Sequence, residues 1–274
     1  MTDMKAGQYI IDRLLPELVA SAAAARGVAC TSMSDGWVLR LARAEDIRWV
    51  VGYQFDLNTA AASALVQDKV AAHLALQQAG IASVPHVLIR SVPHEPIAVG
   101  QLEHLFPAQL VIKPLDGTGG RQVRRVASAE EAAMIIGESD EVAWAASPFY
   151  EIAAEYRVIV LDGQVLLAYE KTRPVDMHGM KFFNLGLGAV AAEIADTQVQ
   201  EQAMEIAHEV CGQLGLRLAA VDIVRLSSGE LLVLEVNDGI MMENYARQSP
   251  EYKDRVTRAY DAIVSVMFDQ NKKL

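Results

Sequence analysis

Residues 218–237 read LAAVDIVRLSSGELLVLEVN, two apolar runs on either side of Ser227-Ser228-Gly229. Apolar runs of this length separated by a serine and glycine turn are the signature of a strand-turn-strand hairpin. If the turn is centred between Ser228 and Gly229, Asp222 lies directly across from Glu235, and a loop of odd length would break that register. Facing Cβ atoms in an antiparallel ladder are about 5 Å apart, so two opposed carboxylates repel unless something compensates them. A divalent cation would do so. Asn237, two residues beyond Glu235, projects from the same sheet face. Asp222, Glu235 and Asn237 together make a hard, incomplete oxygen shell, of the kind that holds Mg2+ while phosphates and waters complete it. The plainer readings are a strand ending in polar residues at the solvent edge, or one carboxylate kept protonated by its neighbour.

Upstream, Val111-Ile112-Lys113-Pro114 ends an apolar strand in a lysine, and Leu115-Asp116-Gly117-Thr118-Gly119-Gly120-Arg121 follows it. A lysine there can reach into a cleft, and glycines let backbone N–H groups approach phosphate oxygens. The stretch has no Gly-Lys-Ser/Thr, and Gln122 occupies the place of the third glycine of a dinucleotide fingerprint, so alone it reads as a surface loop. Asp162-Gly163 joins strands at 154–161 and 164–171. That hairpin sets Glu155 opposite Glu170, with Arg157 on the face of Glu155 and Lys171 on the reverse, and a plain salt bridge explains the charges as well as a ligand does. Lys69 alone reads as a solvated helix lysine.

The 274 residues are 52% hydrophobic in short periodic runs, with no stretch of the roughly 20 apolar residues that a membrane span needs. A formal net charge of −11 argues against general affinity for nucleic acid. Cys30 and Cys211 read as separate free thiols. With no basic-then-apolar start, a soluble, cytoplasmic protein is expected.

Periodicity and turn signals predict helices at 7–25 (with Pro16 in a first turn or at a kink), 63–79, 97–105, 128–136, 197–213, 242–247 and 251–268. Strands are expected at 28–33, 37–41, 47–53, 84–90, 109–113, 122–126 and 141–146, besides the two hairpins. In the helix at 63–79, Leu65, Val66, Val70 and Leu74 form one stripe. A polar, glycine-containing loop at 172–189 is long enough to be functional. His178, Met180 and residues 241–244 are pocket candidates, although methionine is more often core filler. These elements make an α+β / α/β chain.

In order along the chain, Asp68-Lys69 opening a helix, Lys113-Pro114 with a glycine loop, Glu155-x-Arg157, Asp222 and Glu235-x-Asn237 resemble the ATP-grasp superfamily, closest to its glutamate-ligase and D-alanine:D-alanine-ligase branches. The resemblance covers about residues 65–268. It implies an ATP-grasp fold in which two α+β lobes clamp the nucleotide: 85–147 with the glycine loop, and 148–274 with the hairpin. A short lobe, 1–84, would precede them, too small for the full acceptor lobe of many relatives. By the same resemblance, Lys69 and Lys113 contact ATP phosphates, and Gly117, Thr118, Gly119 and Gly120 close over them. Ser147, Phe149 and Tyr150 form the adenine hinge, and Glu155 takes the ribose. Asp222, Glu235 and Asn237 hold Mg2+ or Mn2+. Arg157, Lys171 and Arg173 are the catalytic candidates, with Lys181 in the same region; Phe182-Phe183-Asn184 lacks the arginine that relatives commonly place before the asparagine, and Gly186-Leu187-Gly188 lacks their paired glycines. The implied reaction joins a small carboxylate, activated as an acylphosphate, to an amine, with amino acids or peptides as substrates. A carrier or partner protein and a homodimer remain open. A kinase on the same clamp and a non-catalytic nucleotide-binding protein are the competing functions.

Overall fold

The computed structural model describes residues 12–92, 95, 99–103, 109–115, 117, 119–177 and 179–268. Helix α1 (Leu15–Ala24) leads into an antiparallel meander of β1 (Ala29–Met33), β2 (Val38–Arg43), β3 (Asp46–Val51) and β4 (Gln54–Phe55). Pro16 sits in the first turn of α1, where its missing N–H costs nothing. Helices α2 (Ala60–Gln67) and α3 (Lys69–Gln78) follow. A second antiparallel sheet then uses β5 (Val87–Arg90), β6 (Leu110–Pro114), β7 (Arg124–Val126) and β8 (Ala143–Pro148) in the order β5-β8-β6-β7, with α4 (Val99–Glu103) and α5 (Ala129–Gly137) against it. The largest sheet contains β9 (Ile152–Leu161), β10 (Gln164–Thr172), β13 (Val190–Ala192), β14 (Leu218–Leu226) and β15 (Leu231–Asn237). Its order is β13-β10-β9-β14-β15, antiparallel throughout. Strands β11 (Val175–Met177) and β12 (Met180–Phe182) form a small hairpin; helices α6 (Thr197–Leu214), α7 (Glu243–Ala246) and α8 (Pro250–Phe268) complete the chain. Among the described residues no helix is long and apolar enough to cross a membrane.

The large sheet is covered on both faces, which is why β14 is apolar without alternation. On one face Ile159, Leu161, Leu218 and Ala220 pack with α1, the meander, α7 and α8. On the other Val158, Val160, Val221 and Ile223 pack with α2, α3 and α6. The smaller sheet keeps its own core around Ile112, Ile136 and Trp144. The mixed α+β architecture agrees with the expectation from sequence; several local readings do not.

The helix expected at 63–79 is two helices. Asp68 leaves the helical region at φ −89°, ψ 105°, and its carboxylate caps Val70 N and Ala71 N, both at 2.9 Å. The break rotates the second helix, so Leu74 is exposed instead of continuing the buried stripe, and Lys69 is buried instead of solvated. The 172–189 segment is not a plain loop: it holds β11, β12 and a 3-10 turn at Leu185–Leu187. Parts of the helices expected at 7–25 and 97–105 lie outside the described residues, as do Asp116, Thr118 and His178.

Both hairpins contain a bulge. In the β9–β10 pair Leu166 is an extra residue, so Glu155 faces Lys171 and Glu170 faces Tyr156. The expected Glu155–Glu170 opposition is therefore wrong, because a one-residue slip moves every later side chain to the other face. In the β14–β15 pair the turn leaves three residues between Leu226 and Glu230, an odd loop that alone would place Asp222 opposite Leu234. A bulge at Leu234 restores the pairing, and Asp222 faces Glu235 as expected.

Replacing Asp68 by alanine removes two cap bonds at the start of α3. It should lower stability by about 1 kcal/mol, read as a shift in the urea midpoint with an unchanged slope.

Candidate active site

A cleft of about 1490 Å3 opens between the five-stranded sheet and the β5-β8-β6-β7 sheet, with the meander at one end. Lys69, Lys113, Gly117, Gly119, Gly120, Ser147, Phe149, Tyr150, Glu155, Arg157, Lys171, Asp222, Glu235 and Asn237 all line it. The positions singled out from sequence thus converge, with two exceptions. Arg173 is exposed, has φ 51° and is not part of the lining, so it does not join the catalytic candidates; Thr118 lies outside the described residues. Met180, Met241 and Asn244 also line the cleft, whereas Met242 and Glu243 are buried away from it.

At its floor four charges meet across three strands. Arg157 donates to Asp222 through Nε (2.8 Å to Oδ1) and Nη2 (2.6 Å to Oδ2), and Lys171 Nζ donates to Asp222 Oδ1 at 2.9 Å and to Glu155 Oε1. The β9–β10 bulge makes this possible by turning Lys171 to the face of Glu155. Burial raises the pKa of Asp222, but Arg157 and then Lys171 outweigh it and hold the carboxyl down at about 2. The charge that compensates the Asp222–Glu235 pair is therefore supplied by the protein itself.

Toward the glycine loop, Lys69 Nζ donates to Leu115 O at 3.1 Å and Gly117 O at 2.8 Å, and stands 3.6 Å from Glu235 Oε1. As the first residue of α3 it is aimed there by the Asp68 cap. Lys113, half-buried near Lys69, has its pKa lowered to about 8, chiefly by burial, with Glu235 opposing. Behind it His86 is 4% exposed with Nδ1 at 2.8 Å from Val84 O; burial and then Lys113 push its pKa to about 2, so it stays neutral and adds no positive charge beside the lysines. Gly119 and Gly120 both have positive φ, and a Cβ on Gly120 would meet the Phe182 ring at 3.4 Å. Asn184 Nδ2 donates to Gly119 O at 3.1 Å, tying the loop to the 172–189 segment. Beside the end of β8 the Arg125 guanidinium lies 3.9 Å over the Phe149 ring and donates to Gly179 O at 2.7 Å.

Among the described residues no three His, Cys, Asp or Glu side chains form a ready metal cage. The donors nevertheless suit a hard cation bound jointly with phosphate. Glu235 is part-exposed with Lys69 as its ion-pair partner at 3.6 Å, and Asn237 turns Nδ2 toward Asp222 Oδ2 (3.4 Å), which leaves its own oxygen for a ligand. Asp222, with three charge-assisted bonds already, has the least left to offer.

The sequence did not single out Arg125, Trp37, Tyr53, Gln54 or Asp238, which also line the cleft. Asp238 carried a signal, as the residue directly after Asn237; the others had none beyond their composition.

Residues 66–251 match the RimK-like ATP-grasp domain, and the chain belongs to that family. Curated relatives include the probable alpha-L-glutamate ligases of Shewanella pealeana and Shewanella halifaxensis, each 30% identical over 141 residues, which is 50% of this chain and 29% of the relative. The aligned stretch thus spans under a third of those proteins. Among solved structures, a D-alanine–D-alanine ligase from Bacillus anthracis superposes with a TM-score of 0.60 at 16% identity, over 78% of this chain and 72% of its own. The D-cycloserine synthetase DcsG gives 0.55 at 21% identity, over 73% and 70%. These likenesses establish a shared fold.

Asp222→Ala would strand Arg157 and Lys171 without their main partner. It should destabilise the fold by about 3–5 kcal/mol in chemical denaturation, far more than a surface carboxylate would.

Proposed function

We propose that the chain is an ADP-forming carboxylate–amine ligase that uses ATP and Mg2+. The observation that carries this reading is the convergence of Lys69, Lys113, the glycine loop, Glu235 and Asn237 on one cleft in a chain of the ATP-grasp family. Its relatives named as glutamate and D-alanine–D-alanine ligases support the reaction class.

In this reading the hinge at Ser147, Phe149 and Tyr150 takes the adenine, with Arg125 backing the Phe149 ring. Lys113, Lys69 and the loop N–H groups receive the phosphates. Glu235 and Asn237 hold Mg2+, which when bound neutralises phosphate charge. A carboxylate oxygen of the substrate forms a bond to the γ-phosphorus as the bond from phosphorus to the ADP oxygen breaks. The amine nitrogen then forms the amide bond at the acyl carbon, phosphate leaves, and a proton is released. Arg157 and Lys171 offset the charges of Asp222 and Glu155, so the floor of the cleft does not repel the substrate carboxylate or the acylphosphate, and the protein's share of the catalysis is orientation and charge stabilisation.

The deciding experiment offers the full chain ATP, Mg2+ and the common amino acids, singly and in pairs. Phosphate release that requires both an acid and an amine is expected; a stable phosphorylated product from one substrate would overturn the ligase in favour of a kinase. Glu235→Gln should lower kcat by about 100-fold or more while leaving the urea midpoint nearly unchanged.

Lys113 adds a pH dependence. Its ammonium is the form that attracts phosphate, and in the free protein it loses its proton at about 8. ATP binding should be strongest below that pH and weaken by about tenfold per unit above it, with proton uptake measurable by calorimetry. In Lys113→Arg, whose guanidinium stays charged, the slope should vanish.

A further inference from the structure

The meander closes one end of the cleft through contacts with the residues that follow β15. Gln54 bridges to Gly239, Ile240 N donates to Tyr53 O at 2.8 Å, and Gln54 Nε2 donates to Asp238 Oδ2 at 2.6 Å. The wall is stiff. Arg13 lies over the Trp37 and Tyr53 rings at 5.0 and 4.5 Å and donates to Gly36 O and Gly52 O, and a Cβ on Gly52 would meet Trp37 at 2.7 Å.

Among the buried acids that line the cleft, Asp238 stands out. It is 7% exposed and lines the cleft, yet among the described residues the hydrogen-bond partner of its side chain is the neutral amide of Gln54. Glu155 and Asp222 have Lys171 and Arg157, and Glu235 has Lys69; none of the ion pairs formed by the described residues includes Asp238. A desolvated carboxylate without a cation is costly to keep, and a cationic ligand removes that cost.

We infer that Asp238, clamped by Gln54 against the Trp37–Tyr53 wall, binds the ammonium group of the amine substrate. The inference rests on the ligase reading and deepens it. The carboxylate substrate is repelled from this end by Asp238 and belongs nearer the charge-neutralised floor and the lysines beyond it, whereas the amine enters as a cation beside an apolar wall that includes Met241. The ligand class is a primary ammonium carried next to an apolar group, as in an amino acid or a peptide N-terminus.

The test separates acid activation from amine binding. The full chain is given ATP, Mg2+ and each common amino acid as the acid, first with hydroxylamine, which is uncharged at neutral pH and traps an acylphosphate as a hydroxamate. The acid that reacts is then paired with amino acid amides, which keep a cationic amine and have no carboxylate. Asp238→Asn should raise KM for the amide by about tenfold or more relative to KM for hydroxylamine. Gln54→Leu, which releases the carboxylate from its clamp, should shift the same ratio in the same direction and serves if the first variant is unstable. If no acid yields a hydroxamate, the ligase reading fails and the inference with it. If hydroxamate forms but the KM ratio is unchanged in a folded variant, or only the dependence on ATP or Mg2+ moves, the ammonium site alone is overturned.

Discussion

The charges of Glu155, Arg157, Lys171 and Asp222, held together on one buried face of the large sheet, govern what the rest of the cleft can do. Each would be costly to desolvate singly; together they cancel, and each of the four side chains finds an oppositely charged partner at hydrogen-bond distance. Because three adjacent strands contribute, the network also fixes the register of β10, β9 and β14 where the apolar core gives way to the cleft. Arginine suits the Asp222 position, since its planar fork meets both carboxylate oxygens at once.

That cancellation divides the labour among the remaining groups. Lys69 and Lys113 stand toward the glycine loop, Glu235 and Asn237 offer oxygens at the strand end, and Asp238 sits under the meander. The cleft therefore runs from a cationic end through a neutralised floor to an anionic end. A nucleotide, an acid and an amine can be sorted along it by charge alone. The meander, small as it is, acts as the far wall only because β4 is stitched to residues 239–240 and Arg13 stiffens the aromatic pair.

Much of this was legible in the chain. The hairpins, the helix that starts after Ser128 and the place of Pro16 in a first turn follow from rules that act over a few residues. The order of weak motifs carried the family, although no motif did so alone. The opposition of Asp222 to Glu235 came out as expected through two departures that offset one another, an odd loop and a bulge at Leu234.

What the sequence by itself determined, then, was the set of elements, the fold class and the residues that would gather at the cleft, because alternation, helical spacing and turn chemistry are local. Tertiary structure decided how those residues are paired. The Leu166 bulge turned Lys171 from the reverse face to the side of Glu155; the break at Asp68 buried Lys69; Arg125 came to lie over Phe149; and Gln54 met Asp238 from 184 residues away. Such pairings depend on which strands adjoin and on which residue a bulge leaves out, and both are set by the packing of whole sheets.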